Sequence, residues 1–229
     1  MMIRPVLVPI PPPAAGDGLP AATAGARLRT PERVAQQRAY ARLALRECAR
    51  LSGAPLEGWK KGRDEAPVPL ARCGLHGEPD GLYHWSVSHK RHWAAAVIAD
   101  HLVGIDVEYI VPRRESLFEA LASESEWTVM GGRSWASFYR LWTAKEATLK
   151  ANGVGVGELR ACRLVEVASE HRLTVEYTPP VRSDPHAANS ALSFSTGCAH
   201  WSIEHFYIAD HVAAVTCGTV PVSWCVLDS

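Results

Sequence analysis

From Val103 to Tyr109 the side chains alternate with a period of two. Val103, Ile105, Val107 and Tyr109 lie on one face, and Asp106 and Glu108 on the other. In a stretch rich in β-branched residues this alternation predicts a strand with one apolar face turned to a core and one acidic face turned away. Two carboxylates at i and i+2 stand roughly 6–7 Å apart along a strand and repel each other unless water or a cation intervenes. A hard, oxygen-seeking ion such as Mg²⁺ satisfies both. The plain alternative is the solvated edge of a half-buried strand.

A second segment, Trp142-Thr143-Ala144-Lys145-Glu146-Ala147-Thr148-Leu149-Lys150, lies in a stretch with helical periodicity that starts at Ser134 as N-cap and stops at Gly153. Steps of 100° per residue place Trp135, Phe138, Trp142 and Leu149 on one apolar stripe with Glu146 inside it, and Lys145 at its rim, solvated. A carboxylate in such a stripe must be paired, protonated or bound to metal. Lys150, one turn on, is one partner for Glu146. Otherwise Glu146 joins Asp106 and Glu108 on a metal and leaves Lys150 for a phosphate. A third segment, Ser86-Val87-Ser88-His89-Lys90, ends a strand through residues 82–85 and offers hydroxyl, imidazole and ammonium donors to an anion.

In this order and spacing, His84-Trp85-Ser86-Val87-Ser88-His89, Gly104-Ile105-Asp106-Val107-Glu108 and Trp142 to Lys150 resemble the signature of the surfactin-type 4′-phosphopantetheinyl transferases. The likeness covers roughly residues 27–218. It reaches upstream to an Arg-bearing helix from Pro31, with Gln37 where a Gly is usual, and downstream to Trp201–Thr216. The resemblance implies an α+β fold of two similar α/β halves in a pseudo-dimer, with coenzyme A in the cleft between them. It also implies an enzyme that moves the 4′-phosphopantetheine arm of coenzyme A to a serine of an apo acyl or peptidyl carrier protein, releasing adenosine 3′,5′-bisphosphate. Residue by residue, it assigns Asp106, Glu108 and Glu146 to Mg²⁺, and His89 and Lys150, with Ser88, to phosphate contacts. Glu146 becomes the base for the incoming serine, and Arg29, Arg33, Arg38 and Arg42 become candidates for the 3′-phosphate. Glu65-Ala66-Pro67 stands where Gly-Lys-Pro is common in the family, with Lys60, Lys61 and Arg63 displaced upstream, and Lys90 replaces a small hydroxyl residue. Two other readings are another Mg²⁺-dependent phosphoester enzyme and a non-catalytic carrier-protein-binding homologue.

With 24 basic and 24 acidic side chains the chain carries no net charge, so neither nucleic acid nor a membrane surface is an expected partner. No apolar run approaches the roughly 20 residues of a membrane span, and the start lacks the apolar core of a secretory signal. A cytoplasmic monomer is expected. Six scattered cysteines without a Cys-x-x-Cys pair predict buried, reduced thiols, and the ten histidines show no metal-ligand spacing.

The expected organisation is a flexible leader over residues 1–26 with a short first strand, an N-terminal half over 27–110 and a C-terminal half over 111–229. A helix capped by Thr30 and ended near Gly53, a long loop over 54–81, and strands at 82–87, 93–99 and 102–109 fill the first half. A broken helix over 115–130, the motif helix, and strands at 159–167, 172–177, 191–195, 200–208 and 211–217 fill the second. Leu117, Phe118 and Leu121, flanked by Arg113 and Arg114, form either a ridge for an acidic carrier or part of the core.

Overall fold

The computed structural model describes residues 2–12, 31–62, 66–73, 79–180 and 198–228. Arg29, Thr30, Arg63, Glu65, most of the leader and the expected strand at 191–195 lie outside the described residues. Along the chain run β1 (Val6–Pro9), α1 (Pro31–Ser52), β2 (Lys60–Lys61), β3 (Pro67–Val68), β4 (Leu70–Cys73), β5 (Pro79–Lys90), β6 (Trp93–Ala99) and β7 (Ile105–Tyr109). Then come α2 (Ser116–Leu121), α3 (Glu124–Met130), α4 (Trp135–Ala151), a 3₁₀ segment (Val156–Ala161), β8 (Cys162–Val167), β9 (Arg172–Tyr177), β10 (Ala199–Ile208), β11 (His211–Thr216) and β12 (Cys225–Val226). The mixed α+β class expected from the sequence is observed.

Two five-stranded sheets form, in the orders β12-β1-β6-β5-β4 and β7-β11-β10-β9-β8. Strand alternation sorts their side chains into three cores. On β6, Ala94, Ala96 and Ile98 meet α1, whose Ala41, Ala44, Leu45, Cys48 and Ala49 recur at helical spacing. Ala95, Val97 and Ala99 point the other way and pack with Val103, Ile105 and Val107 and with Ala213 and Val215 of β11, so the sheets lie face to face. The outer face of the second sheet, with Leu173, Val175, Ile203, Val212 and Ala214, packs on α4. Helix, sheet, sheet, helix is the layering that results.

The boundary expected at residue 110 does not follow these sheets. β7 pairs antiparallel with β11, from His211↔Tyr109 to Val215↔Ile105, and β12 returns to run parallel to β1. Residues 105–109 therefore belong with the C-terminal sheet, and residues 225–226 with the N-terminal one. Short β2, β3 and β4 interrupt the expected loop over 54–81, and residues 156–161 form the 3₁₀ turn before β8. The broken helix resolves into α2 and α3. Ser123 closes a capping box with Glu126 at the start of α3, and Gly131 ends it at φ 87°. Phe118 and Leu121 are buried and belong to the core, not to an exposed ridge; Leu117, Arg113 and Arg114 are exposed.

Lys145 also departs from expectation. It is only 1% exposed, and its Nζ sits 2.8 Å from Glu126 Oε1 and donates to the Leu121 carbonyl at 2.8 Å. Glu126 also accepts the Leu164 amide (2.9 Å) and the Ser123 amide (2.9 Å). The paired carboxylate lets an ammonium be buried, and the pair locks α4 to α2, α3 and β8. Of the cysteines, Cys48, Cys162 and Cys217 are buried free thiols, whereas Cys73 and Cys198 are exposed. No helix among the described residues is long and apolar enough to cross a membrane.

His205 and His211 are buried, and burial pushes their imidazoles down to about 3 and about 4. Unfolded, each takes a proton near pH 6.5, so below that value the unfolded chain binds protons that the native state refuses. Their stabilising effect is complete above pH 6.5 and is lost as pH falls towards the native values. We expect each imidazole to cost about 2 kcal/mol between pH 7 and pH 5, and the pair about 4 kcal/mol. His205→Gln should remove about half of that slope in urea titrations; an unchanged slope would assign the acid lability to other groups.

Candidate functional site

On β7, Ile105 and Val107 enter the core between the sheets, which turns Asp106 and Glu108 towards α4, as the alternation predicts. β5 passes beside β7 in the same two-residue step. Ser86 Oγ accepts the Ile105 amide (3.2 Å), Ser88 Oγ donates to Asp106 Oδ1 (2.8 Å), and Lys90 Nζ lies 2.8 Å from Glu108 Oε1 and 2.7 Å from its Oε2. From the opposite side, α4 sends Lys150, whose Nζ donates to Asp106 Oδ1 (2.7 Å) and to the Ile105 carbonyl (3.1 Å). The pairing of Lys150 is thus with Asp106.

α4 is buried on nearly every side, and its half-exposed line is Trp142, Glu146 and Lys150, spaced four residues apart. Glu146 stands on that line with Trp142, whereas Phe138 and Leu149 of the expected stripe are buried in the core. Burial pushes its carboxyl up to about 7; Asp106 and Glu108 add to the rise, and Lys150 opposes it. Glu108 is raised by burial and by the Asp106 charge, against Lys90 and Lys150. Asp106 is 4% exposed, and its Oδ2 has no hydrogen-bond partner among the described residues. A buried carboxylate oxygen without a donor, between two carboxyls that resist ionisation, is the environment a divalent cation relieves. Asp106, Glu108 and Glu146 could therefore hold such an ion.

The structure gathers Ser88, Lys90, Asp106, Glu108, Glu146 and Lys150. His89 is half-buried on the opposite face of β5, with Trp85 and Val87, and pairs across from Ala94 on the α1 side. Arg33 lies at that end too, its guanidinium donating to the carbonyls of Pro11 and Arg91. Arg38 and Arg42 are exposed on α1. Lys90, expected only as one donor among several, grips Glu108. The signal was the step of two, since a strand that aims Ser88 at Asp106 aims Lys90 at Glu108.

Another gathering of ligand-type side chains, Glu176, Cys198 and His200, lies on the face of β9 and β10 opposite α4. Arg163 already holds both oxygens of Glu176 there, at 3.1 and 3.2 Å. A cavity of about 500 Å³ opens between α2 and the start of α4, lined by Glu115, Phe118, Glu119, Arg133 and Trp135, apart from the carboxylates.

Residues 102–216 match the family model described as the 4′-phosphopantetheinyl transferase superfamily. The chain is 33% identical over 93 residues to 4′-phosphopantetheinyl transferase gsp of Aneurinibacillus migulanus, covering 38% of this chain and 39% of that protein. It is 33% identical over 78 residues to psf-1 of Bacillus pumilus, a share of 32% of this chain and 34% of the relative. With ffp of Bacillus subtilis the identity is 26% over 97 residues, or 41% and 43% of the two chains. Both relatives are likewise named 4′-phosphopantetheinyl transferases. The chain thus spans well under half the length of the curated relatives it matches.

Proposed function

The chain belongs to the 4′-phosphopantetheinyl transferase superfamily, and from that premise we propose that it transfers the 4′-phosphopantetheine arm of coenzyme A to a serine hydroxyl of an apo acyl or peptidyl carrier protein. The observation that carries the reading is the meeting of Asp106, Glu108 and Glu146, with an unpartnered Asp106 oxygen, beside the Lys150 ammonium. In this reading the three carboxylates hold one Mg²⁺, which when bound neutralises charge on the pyrophosphate. Lys150 spends two of its three donors on Asp106 and Ile105, which leaves the third for a phosphate oxygen. Glu146, directly or through a metal-bound water, serves as the base for the serine proton. The serine oxygen bonds to the phosphorus next to pantetheine, the bridging phosphoanhydride bond breaks, and adenosine 3′,5′-bisphosphate departs. Ser88 orients Asp106, and His89 and Arg33 are assigned to the 3′-phosphate from the α1 side, with Arg42 and Arg29 as further candidates.

The pseudo-dimeric reading is part of the proposal, and the strand order supports it. β1 precedes α1 and pairs antiparallel with β6; β7 precedes α4 and pairs antiparallel with β11. On that division the second half begins near residue 105 and supplies all three carboxylates, while the first supplies Ser88 and Lys90. A cytoplasmic monomer completes the proposal.

Mass spectrometry of apo carrier proteins incubated with the chain, coenzyme A and Mg²⁺ tests the function through the mass gain of one phosphopantetheine arm. No gain on any carrier, with coenzyme A intact, would refute it; hydrolysis without transfer would favour a different phosphoester enzyme. Lys150→Ala is expected to lower kcat/KM for coenzyme A about ten- to a hundredfold, the value of a charge-assisted hydrogen bond, with the carrier's KM moving less. His89→Ala should reduce the preference for coenzyme A over dephospho-coenzyme A; an unchanged preference removes His89 from the 3′-phosphate.

A further inference from the structure

We propose that Lys90 is a resident counter-cation of the carboxylate cluster, one that a divalent ion must displace from Glu108, and that it thereby sets how tightly this chain holds its metal. The inference rests on the reading of Asp106, Glu108 and Glu146 as metal ligands. One ammonium spans both oxygens of Glu108, at 2.8 and 2.7 Å. Fully ionised, the cluster carries three carboxylates against the ammoniums of Lys90 and Lys150, so its formal charge is −3 + 2 = −1. Without Lys90 the same cluster carries −2. A cation entering this small, poorly solvated space meets the Lys90 charge at contact range, where like charges are costly.

The two lysines are held differently. Lys150 is tied to a backbone carbonyl as well as to Asp106. Among the described residues the Lys90 ammonium bonds to Glu108 alone, and its side chain is 33% exposed where that of Glu108 is 12%. A flexible four-carbon stem with its tip near water can swing out at little cost. The strand aims it: Ser88 meets Asp106 and Lys90 meets Glu108 in matched steps of two. Lys90 therefore competes with metal for Glu108 and also keeps that buried carboxylate neutralised when no metal is bound.

The test is calorimetric titration of the metal-free full chain with Mg²⁺, without coenzyme A, for the wild type, Lys90→Met, Lys90→Arg and Asp106→Asn. Lys90→Met is expected to bind Mg²⁺ about tenfold more tightly than the wild type. Lys90→Arg, which keeps the charge and can grip both oxygens, should bind no more tightly than the wild type, and Asp106→Asn should lose binding. Melting curves give a readout independent of catalysis. Metal-free Lys90→Met should melt below the wild type because Glu108 has lost its partner, and Mg²⁺ should raise its melting temperature by the larger margin. Should Lys90→Met fail to fold, Lys90→Gln carries the same comparison. Equal or weaker Mg²⁺ binding by the neutral variant, with Asp106→Asn still inactive in binding, overturns the role of Lys90 and leaves the metal reading intact. No Mg²⁺ binding by either the wild type or the neutral variant overturns the metal reading, and this inference with it.

Discussion

Gly104→Ala is expected to lower the melting temperature by about 10 °C and to remove most transfer activity. A Cβ at this position would stand 1.9 Å from the Ala147 carbonyl oxygen and 2.7 Å from the Ala151 amide nitrogen, so α4 lies against the start of β7 with no room for a methyl group. The helix cannot simply yield, because Lys145 pins its other side to Glu126 and to the Leu121 carbonyl. The strand is pinned as well, since Gly104 donates to Thr216 Oγ1 (2.9 Å) and accepts from the Thr216 amide (3.0 Å). Forcing a methyl group into such a contact costs about 3 kcal/mol or more. Any relief moves Glu146 and Lys150 away from Asp106, and a displacement of about 1 Å at a reacting centre costs roughly a hundredfold. Gly155→Ala, whose Cβ would meet nothing within 4 Å, is the control and should melt like the wild type. Wild-type melting of Gly104→Ala would mean that the strand and helix are not this close.

Gly104 also marks where the sequence stopped being legible. It was visible as the first letter of a motif, but its reason is a helix backbone more than forty residues away, and nothing in local periodicity records that approach. Lys145 is a similar case. Helical geometry puts it beside the apolar stripe, where a lysine is ordinarily solvated, and only the placement of Glu126 on a separate helix makes its burial possible. By contrast, the faces of β7 followed from alternation alone, because one slip in register would have sent the carboxylates into the core. The limits of α4 followed from Ser134 and Gly153, whose capping chemistry is local. Sheet membership did not follow. β7 comes directly after β6 in the chain but joins the other sheet, and strand patterning describes a strand's faces and not its neighbours. The expected boundary at residue 110 places Asp106 and Glu108 in one half and Glu146 in the other, although β7 and α4 pack directly against each other.

Glu146→Gln separates the metal reading from the fold, since it should abolish function while stabilising the metal-free protein. Unfolded, the carboxyl titrates near 4.5; in the native state it is raised to about 7, first by burial and then by Asp106. Between those values the native state binds more protons than the unfolded chain, so native stability falls as pH rises from 4.5 through 7. Below 4.5 both states are protonated and no penalty exists; above 7 the native protein carries a charge its surroundings disfavour. Allowing for solvent screening at this half-exposed edge, the penalty is on the order of 2 kcal/mol. The isosteric amide removes it, so metal-free Glu146→Gln should melt about 4–8 °C above the wild type at pH 8 and at the same temperature as the wild type near pH 4. Mg²⁺ should reverse the order at pH 8, because the ion supplies the charge that the wild-type carboxylate lacks and finds one ligand fewer in the variant. Transfer should fall by about 10²–10⁴-fold, the range for losing a general base, with Asp106→Asn falling at least as far. A variant that transfers at the wild-type rate would remove Glu146 from the chemistry. One that is inactive yet gains no stability at pH 8 would show that its carboxyl is not held above the ordinary range, and would leave the base unassigned.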